Sequence, residues 1–335
     1  MRNRLVGGPA VAELLVLALA GGCGGGSVPA RYASAIQTSH APAFKPGHLY
    51  VGQTTFYAPS KIYRYPLSAE GLPSRTPDGE LTVHAHNPGS IAIGPNGDLY
   101  VSVPRTPGTC NGKCFVEVFA PLASHHAKPI RVLYVPQDPL YVAVDHQQGY
   151  LDVSTLQGHS NVNVYAPNAR GHDKPVNQIT QGVNALAARD GIVYIQTLRL
   201  GLGIEAVPEV GSSPPPVYYR YGYNFSGDGV ATGSTYLYAQ FFWPQGYKYL
   251  LATAVYRIGQ PGYQIRTVIG TSCQVSRNGG ALGYGLATYK KYIYEGCIDK
   301  GGLVGSVLVY DSTKNGKQKA IEVLPGGNLG VAIGP

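Results

Sequence analysis

Charge is scarce in this 335-residue chain, where Asp, Glu, Lys and Arg together make 13% of the residues. Basic residues outnumber acidic ones by 26 to 18, yet no basic run and no nucleic-acid motif accompanies the excess, so nucleic acid is not an expected partner. Helix signals are nearly absent. The 45 Gly and 26 Pro punctuate short stretches rich in Val, Ile and Tyr, which is the pattern of strands joined by turns. No Ser-His-Asp signature, Gly-rich phosphate loop or His-x-x-x-His pair occurs, so no motif dictates a reaction. The apolar run Leu14 to Ala20 is too short for a permanent membrane-spanning helix.

That run follows Arg2 and Arg4 and precedes Gly21-Gly22-Cys23, an arrangement that reads as an export signal over residues 1–22. Ala20-Gly21-Gly22-Cys23 resembles a bacterial lipobox, in which the cysteine receives a lipid. Ala18-Leu19-Ala20 suits an ordinary signal peptidase instead. Gly24-Gly25-Gly26-Ser27 makes a tether, which favours lipidation at Cys23. The expectation is an exported protein held at the cell envelope by a lipid anchor alone, or secreted if Cys23 is not lipidated. Residues 23–45 form a polar linker, and a single domain spans 46–335. Loss of residues 1–22 removes Arg2, Arg4 and Glu13 and leaves 24 basic against 17 acidic residues, a net +7. On an exported surface that modest excess suits anionic polymers, polysaccharides or lipid headgroups, beside its general effect on solubility.

Four cysteines remain, an even number that suggests two disulfides in an oxidising compartment. Cys110 and Cys114 bracket a tight loop, and Cys273 and Cys297 both fall in the last repeat, so those are the expected pairs. A four-cysteine zinc site is the rival, but its ligands would come from widely separated repeats.

Six times an apolar strand with a central alanine (Ala92, Ala143, Ala187, Ala231, Ala287, Ala332) precedes or completes a strand centred on Tyr50, Tyr100, Asp152, Tyr194, Tyr238 or Tyr294. A strand-built repeat of about 45 to 55 residues indicates a β-propeller, here all-β with six blades. The blades are expected at 48–87, 88–138, 139–183, 184–224, 225–272 and 273–328. Ala332 has no partner strand after it, and Gly47-His48-Leu49-Tyr50-Val51 has none before it. The C-terminal strand, 329–335, should therefore close the ring on the first blade. The recurring Val/Ile-Ala-hydrophobic-Gly-Pro-x-Gly-x-Leu-Tyr-Val segment, with its following Val-Tyr/Phe-Ala-Pro strand, resembles NHL-type repeats of six-bladed propellers. That resemblance implies a scaffold whose members bind ligands, bind proteins or act as enzymes.

Two sets of residues compete for a site. Phe119 to Lys128, Tyr165 to Lys174 and Tyr310 to Lys319 align without a gap, which makes His126 and His172 equivalent turn residues, not joint metal ligands. Ligands of propellers sit over the central channel on the loop face, where the loops would present His86, Asn87, Arg105, His159, Arg199, Asp228, Trp243 and Asp299. Tyr218, Tyr219, Tyr249 and their neighbours are expected to fill blade interfaces. The single tryptophan, Trp243, sits in Phe241-Phe242-Trp243-Pro244-Gln245-Gly246, which reads as a loop able to stack on sugar rings or anchor a protein. The leading expectation is a monomeric binding module for an envelope protein or an anionic or carbohydrate polymer, with no cofactor. The alternative is an NHL-like or lactonase-like hydrolase or lyase with calcium or zinc at the channel, for which the inner strands offer Asp145 and little else acidic.

Overall fold

The computed structural model describes residues 47–55, 58–83, 89–103, 114–155, 161–197, 203–211, 217–220, 226–245, 248–276, 285–298, 305–326 and 330–335. Among them there is no helix, and the strands form six small sheets, antiparallel through their first four strands, arranged as the blades of a β-propeller. Each blade runs outward through an inner, a second, a third and an outer strand. In blade 2 these are Ile91–Ile93, Leu99–Val103, Cys114–Phe119 and Arg131–Val135.

All six alanines pair directly with the residues centring the second strands. The pairs are Ala92–Tyr100, Ala143–Asp152, Ala187–Tyr194, Ala231–Tyr238, Ala287–Tyr294 and Ala332–Tyr50. Inner strands converge on the axis, and at these six paired positions they carry only a methyl group beside the second strand, while neighbouring Ile, Val and Leu residues line the channel. The wedge widens outward, and tyrosine fills it one strand further out. Each apolar cluster mixes residues of two neighbouring blades, so the core of this ring is a set of blade interfaces.

Blade 1 takes its inner strand, Gly330–Gly334, from the C-terminus. It pairs with His48–Thr55 from His48–Gly334 through Gly52–Gly330, and the Gly47 amide donates to the Gly334 carbonyl at 2.8 Å. Ring closure by both ends of the described chain is therefore as the repeats required. The junction also fixes polarity. One end of the barrel, the turn face, carries the inner-to-second and third-to-outer connections together with Gly47 and Pro335. The other, the loop face, carries the second-to-third connections.

Two sequence expectations need correction. The outer strand of blade 5 runs Arg266–Ser276, so Cys273 belongs to blade 5 and the sixth blade begins later than residue 273. Phe241 to Gln245 is not a loop; it continues the second strand of that blade, Tyr236–Gln245. Pro244 and the following glycine look like turn residues. Here the aromatic, β-favouring run instead finds a full ladder of partners in the third strand, Lys248–Arg257.

The aligned turns have a shared structural task. His125, Gly171 and Gly316 occupy equivalent positions, all with positive φ, and each pairs in parallel with the outer strand of the preceding blade, at Leu81, Leu133 and Val268. Gly262 does the same to Tyr219. His172 remains exposed but stacks on Tyr134 of the preceding blade at 4.7 Å between ring centroids. Between blades 3 and 4 the Asn177 amide donates to the Glu209 carbonyl at 2.6 Å, and between blades 6 and 1 Arg75 pairs with Glu322 at 3.0 Å. At each of these interfaces the third-to-outer connection reaches back to staple the blade before it.

Candidate functional site

At the centre of the ring lies a cavity of about 50 Å³, lined by one apolar residue from each blade: Ile91, Val142, Leu186, Val230, Leu286 and Val331. Their neighbours around the cavity include glycine and alanine, and the described lining holds no carboxylate or imidazole. Among the described residues no group of three or more His, Cys, Asp or Glu is placed to hold a metal ion. His86, Asn87, Arg105, His159, Arg199 and Asp299 lie outside the described residues, as do Cys23 and Cys110. Asp228 falls within the inner strand of blade 5, Ser226–Thr232.

The buried acids serve blade interfaces and turns. Asp145 caps the inner turn of blade 3: its Oδ1 accepts from the Gln147 and Gln148 amides at 2.6 and 3.0 Å, and its Oδ2 accepts from the Gly191 amide of blade 4. Glu295 is fully buried and accepts from the Thr253 hydroxyl of blade 5; burial pushes its carboxyl up to about 7. Asp138, next to the start of blade 3, is buried with Oδ1 2.9 Å from Cys114 Sγ, and Cys114 is disulfide-bonded.

One acidic group escaped the reading of motifs. Asp152 stands where five blades carry tyrosine, and it meets Glu209 from the third-to-outer connection of blade 4. Both side chains are fully buried, within hydrogen-bonding reach of each other, and Asp145 is within reach of Glu209. No N–H or hydroxyl donor reaches any of the four Asp152 and Glu209 oxygens. Burial raises both carboxyls, and the charges of Asp152 and Asp145 raise Glu209 further. The pair is therefore held together by a proton, with one carboxyl donating to the other. The interruption of the tyrosine series was visible in the sequence; its partner, 57 positions away, was not.

Among the described residues, the longest strands reaching the loop face are those of blade 5. Its second, third and outer strands run 10, 10 and 11 residues, against 5, 6 and 5 in blade 2. The extra length stays paired to the end: Trp243 opposes Leu250, Gln245 opposes Lys248, and Lys248 opposes Ser276. A three-stranded ridge thus rises at the loop face. Alternation sends Phe241 and Trp243 to one side, their rings 6.2 Å apart, where they join the cluster shared with Ile204 and Tyr219 of blade 4. Phe242 goes to the other side, 6.3 Å from the Tyr249 ring, against the cluster holding Cys273 and Cys297. Phe241 is fully buried, Phe242 and Trp243 are half-buried, and Pro244 and Gln245 are exposed. The tyrosines behind the ridge fill an interface: Tyr194, Tyr219 and Tyr256 form a buried ladder with centroids 6.2 and 5.6 Å apart.

The Cys273–Cys297 disulfide fastens the ridge. It joins the outer strand of blade 5 to the second strand of blade 6, Tyr292–Ile298, with Cα atoms 6.1 Å apart. The expected pairing is present, but it links two blades instead of closing one repeat.

These features define the class, a six-bladed β-propeller with a ridge built onto its fifth blade. No family model and no curated protein matches the chain.

Proposed function

We propose that this is an exported, lipid-anchored propeller of NHL-like repeats that acts as a binding module, taking an envelope protein or an extracellular polymer on the ridge of blade 5. The observation that carries the reading is the ridge itself. Strands of five or six residues suffice for the blade 2 sheet, whereas blade 5 extends three strands beyond that length and fixes them covalently to blade 6. Such rigid, half-exposed aromatic residues bordered by polar groups supply contact area at low entropic cost. Trp243 contributes its outer edge and its neighbours Pro244 and Gln245 their exposed surface, while Phe241 holds the tryptophan from behind.

Trp243 is the only tryptophan, so its fluorescence reports on the ridge without interference. Titration with envelope polymers and with fractionated envelope proteins should shift or quench that emission saturably for one of them. Substitution Gln245→Glu at the exposed end of the strand should weaken that response, since it sets a like charge against an anionic polymer and forces an unpaired charge into a protein contact. A protein whose emission answers none of them, yet which retains one metal ion per chain and hydrolyses lactones, would overturn the reading in favour of an enzyme.

A further inference from the structure

The chain's positive charge is not spread evenly. Lys290 and Lys291 form the inner turn of blade 6, and Lys314, Lys317 and Lys319 follow one another along its third-to-outer connection. All five are exposed. The two segments are one surface: the Ser312 amide donates to the Lys291 carbonyl at 2.8 Å, and Arg266 of blade 5 donates to the Thr313 carbonyl at 3.3 Å. Lys317 lies on the short strand Gly316–Gln318 laid against the outer strand of blade 5. Lys290 and Lys291 rest their cations over Tyr289 and Tyr292, at 5.6 and 5.4 Å from the ring centroids.

Little opposes these six cations. Asp311 is buried and accepts from the Thr313 amide and hydroxyl, leaving Lys314 Nζ 4.0 Å away. Glu322 is ion-paired with Arg75, and Glu70 is the one exposed acid beside Ala69, whose carbonyl accepts from Lys290.

Position gives the patch its meaning. It lies on the turn face, and blade 6 adjoins blade 1, where the described chain begins at Gly47 against Gly334. Gly47 thus joins the ring on the same face as the lysines and beside the same blade. We propose that this lysine patch docks the propeller on an anionic lipid surface, turn face down, so that the ridge of blade 5 points away from the membrane. The orientation rests on the lipid anchor proposed at Cys23, but the affinity of the patch for lipid does not. The anchor supplies attachment, and a basic patch on the same face adds electrostatic affinity and fixes which face meets the headgroups. Lysine suits a fluid headgroup layer, since it acts as a flexible point charge and asks for no fixed geometry.

The test uses the exported form, residues 23–335, with Cys23→Ser, which lacks both the apolar export segment and the lipid and keeps the patch. Sedimentation with vesicles of phosphatidylcholine alone, or of phosphatidylcholine with phosphatidylglycerol, should show binding to the anionic vesicles and its loss in high salt. The triple variant Lys314→Gln/Lys317→Gln/Lys319→Gln should bind roughly a hundredfold more weakly, at about fivefold for each cation removed. Lys128→Gln/Lys174→Gln removes equally exposed cations from the aligned turns of blades 2 and 3, on the same face but outside the cluster, and should weaken binding far less than the triple variant. Matching melting temperatures of the variants keep the comparison to charge. Equal sedimentation with both vesicle types, or full binding by the triple variant, would overturn the proposal. Displacement from the vesicles by a soluble anionic polysaccharide at equal charge would also overturn it, assigning the patch to a polymer instead.

Discussion

Replacing Glu209 with glutamine should make the protein more stable at neutral pH and flatten the dependence of its stability on pH. In the folded protein the Glu209 and Asp152 carboxyls share a site with no outside donor, next to the charged Asp145. Both have raised proton affinity, so folding retains at least one proton that the unfolded chain gives up. Below the ordinary glutamate value of 4.5 both states carry that proton, and its contribution to stability is fully present. Above it the unfolded chain ionises, and stability falls by about 1.4 kcal/mol per pH unit for each proton the folded state keeps. Between about pH 5 and about pH 8 one proton amounts to about 4 kcal/mol, or roughly 8 °C of melting temperature in a chain this long. The glutamine amide offers Asp152 a permanent N–H donor at nearly the same volume and needs no proton. Glu295, whose carboxyl also sits high, slopes the same way but is present in both proteins and cancels in the difference. Urea or thermal unfolding across that range is the assay. Parallel stability curves for parent and Glu209→Gln would refute a shared proton at this interface.

Deleting residues 330–335 strips blade 1 of its inner strand and exposes the His48–Thr55 edge, so the truncated protein should lose its cooperative melt and aggregate; a monomer that melts like the parent on sedimentation and calorimetry would contradict the closure. Removing the Cys273–Cys297 bond, by Cys273→Ser with Cys297→Ser, should cost about 3 kcal/mol from the 24-residue separation, and unchanged unfolding in denaturant would count against it.

Much of the ring could be read from the chain because its signal is repeated. An alanine that must fit near the axis and a tyrosine that must fill the next layer recur six times, with Asp152 the single departure, and every expected pair forms in register. Features peculiar to one blade were harder to read. Pro244 and the glycine two positions later imitate a loop, and only the matching length of Lys248–Arg257 shows that the strand goes on. The repeat places Cys273 one blade too late for the same reason, since an outer strand of 11 residues departs from it. The alignment of turns correctly made His126 and His172 equivalents, but the staple each turn forms depends on the preceding blade, about a repeat earlier in the chain. Asp152 and Glu209 meet across an interface, where local pattern has nothing to say.

The closure of blade 1 also governs how the molecule carries a mechanical load. A pull applied through the residues preceding Gly47 enters at the start of His48–Thr55 and runs along that strand's axis. The strand lies between Gly330–Gly334 on one side and Ala58–Pro66 on the other. Five register pairs on the first side and those along the third strand are then strained together in shear, where a pull across the sheet would peel them one at a time. Tension entering at Gly47 is thus shared by two ladders, and the strand contributed by the C-terminus bears one of them.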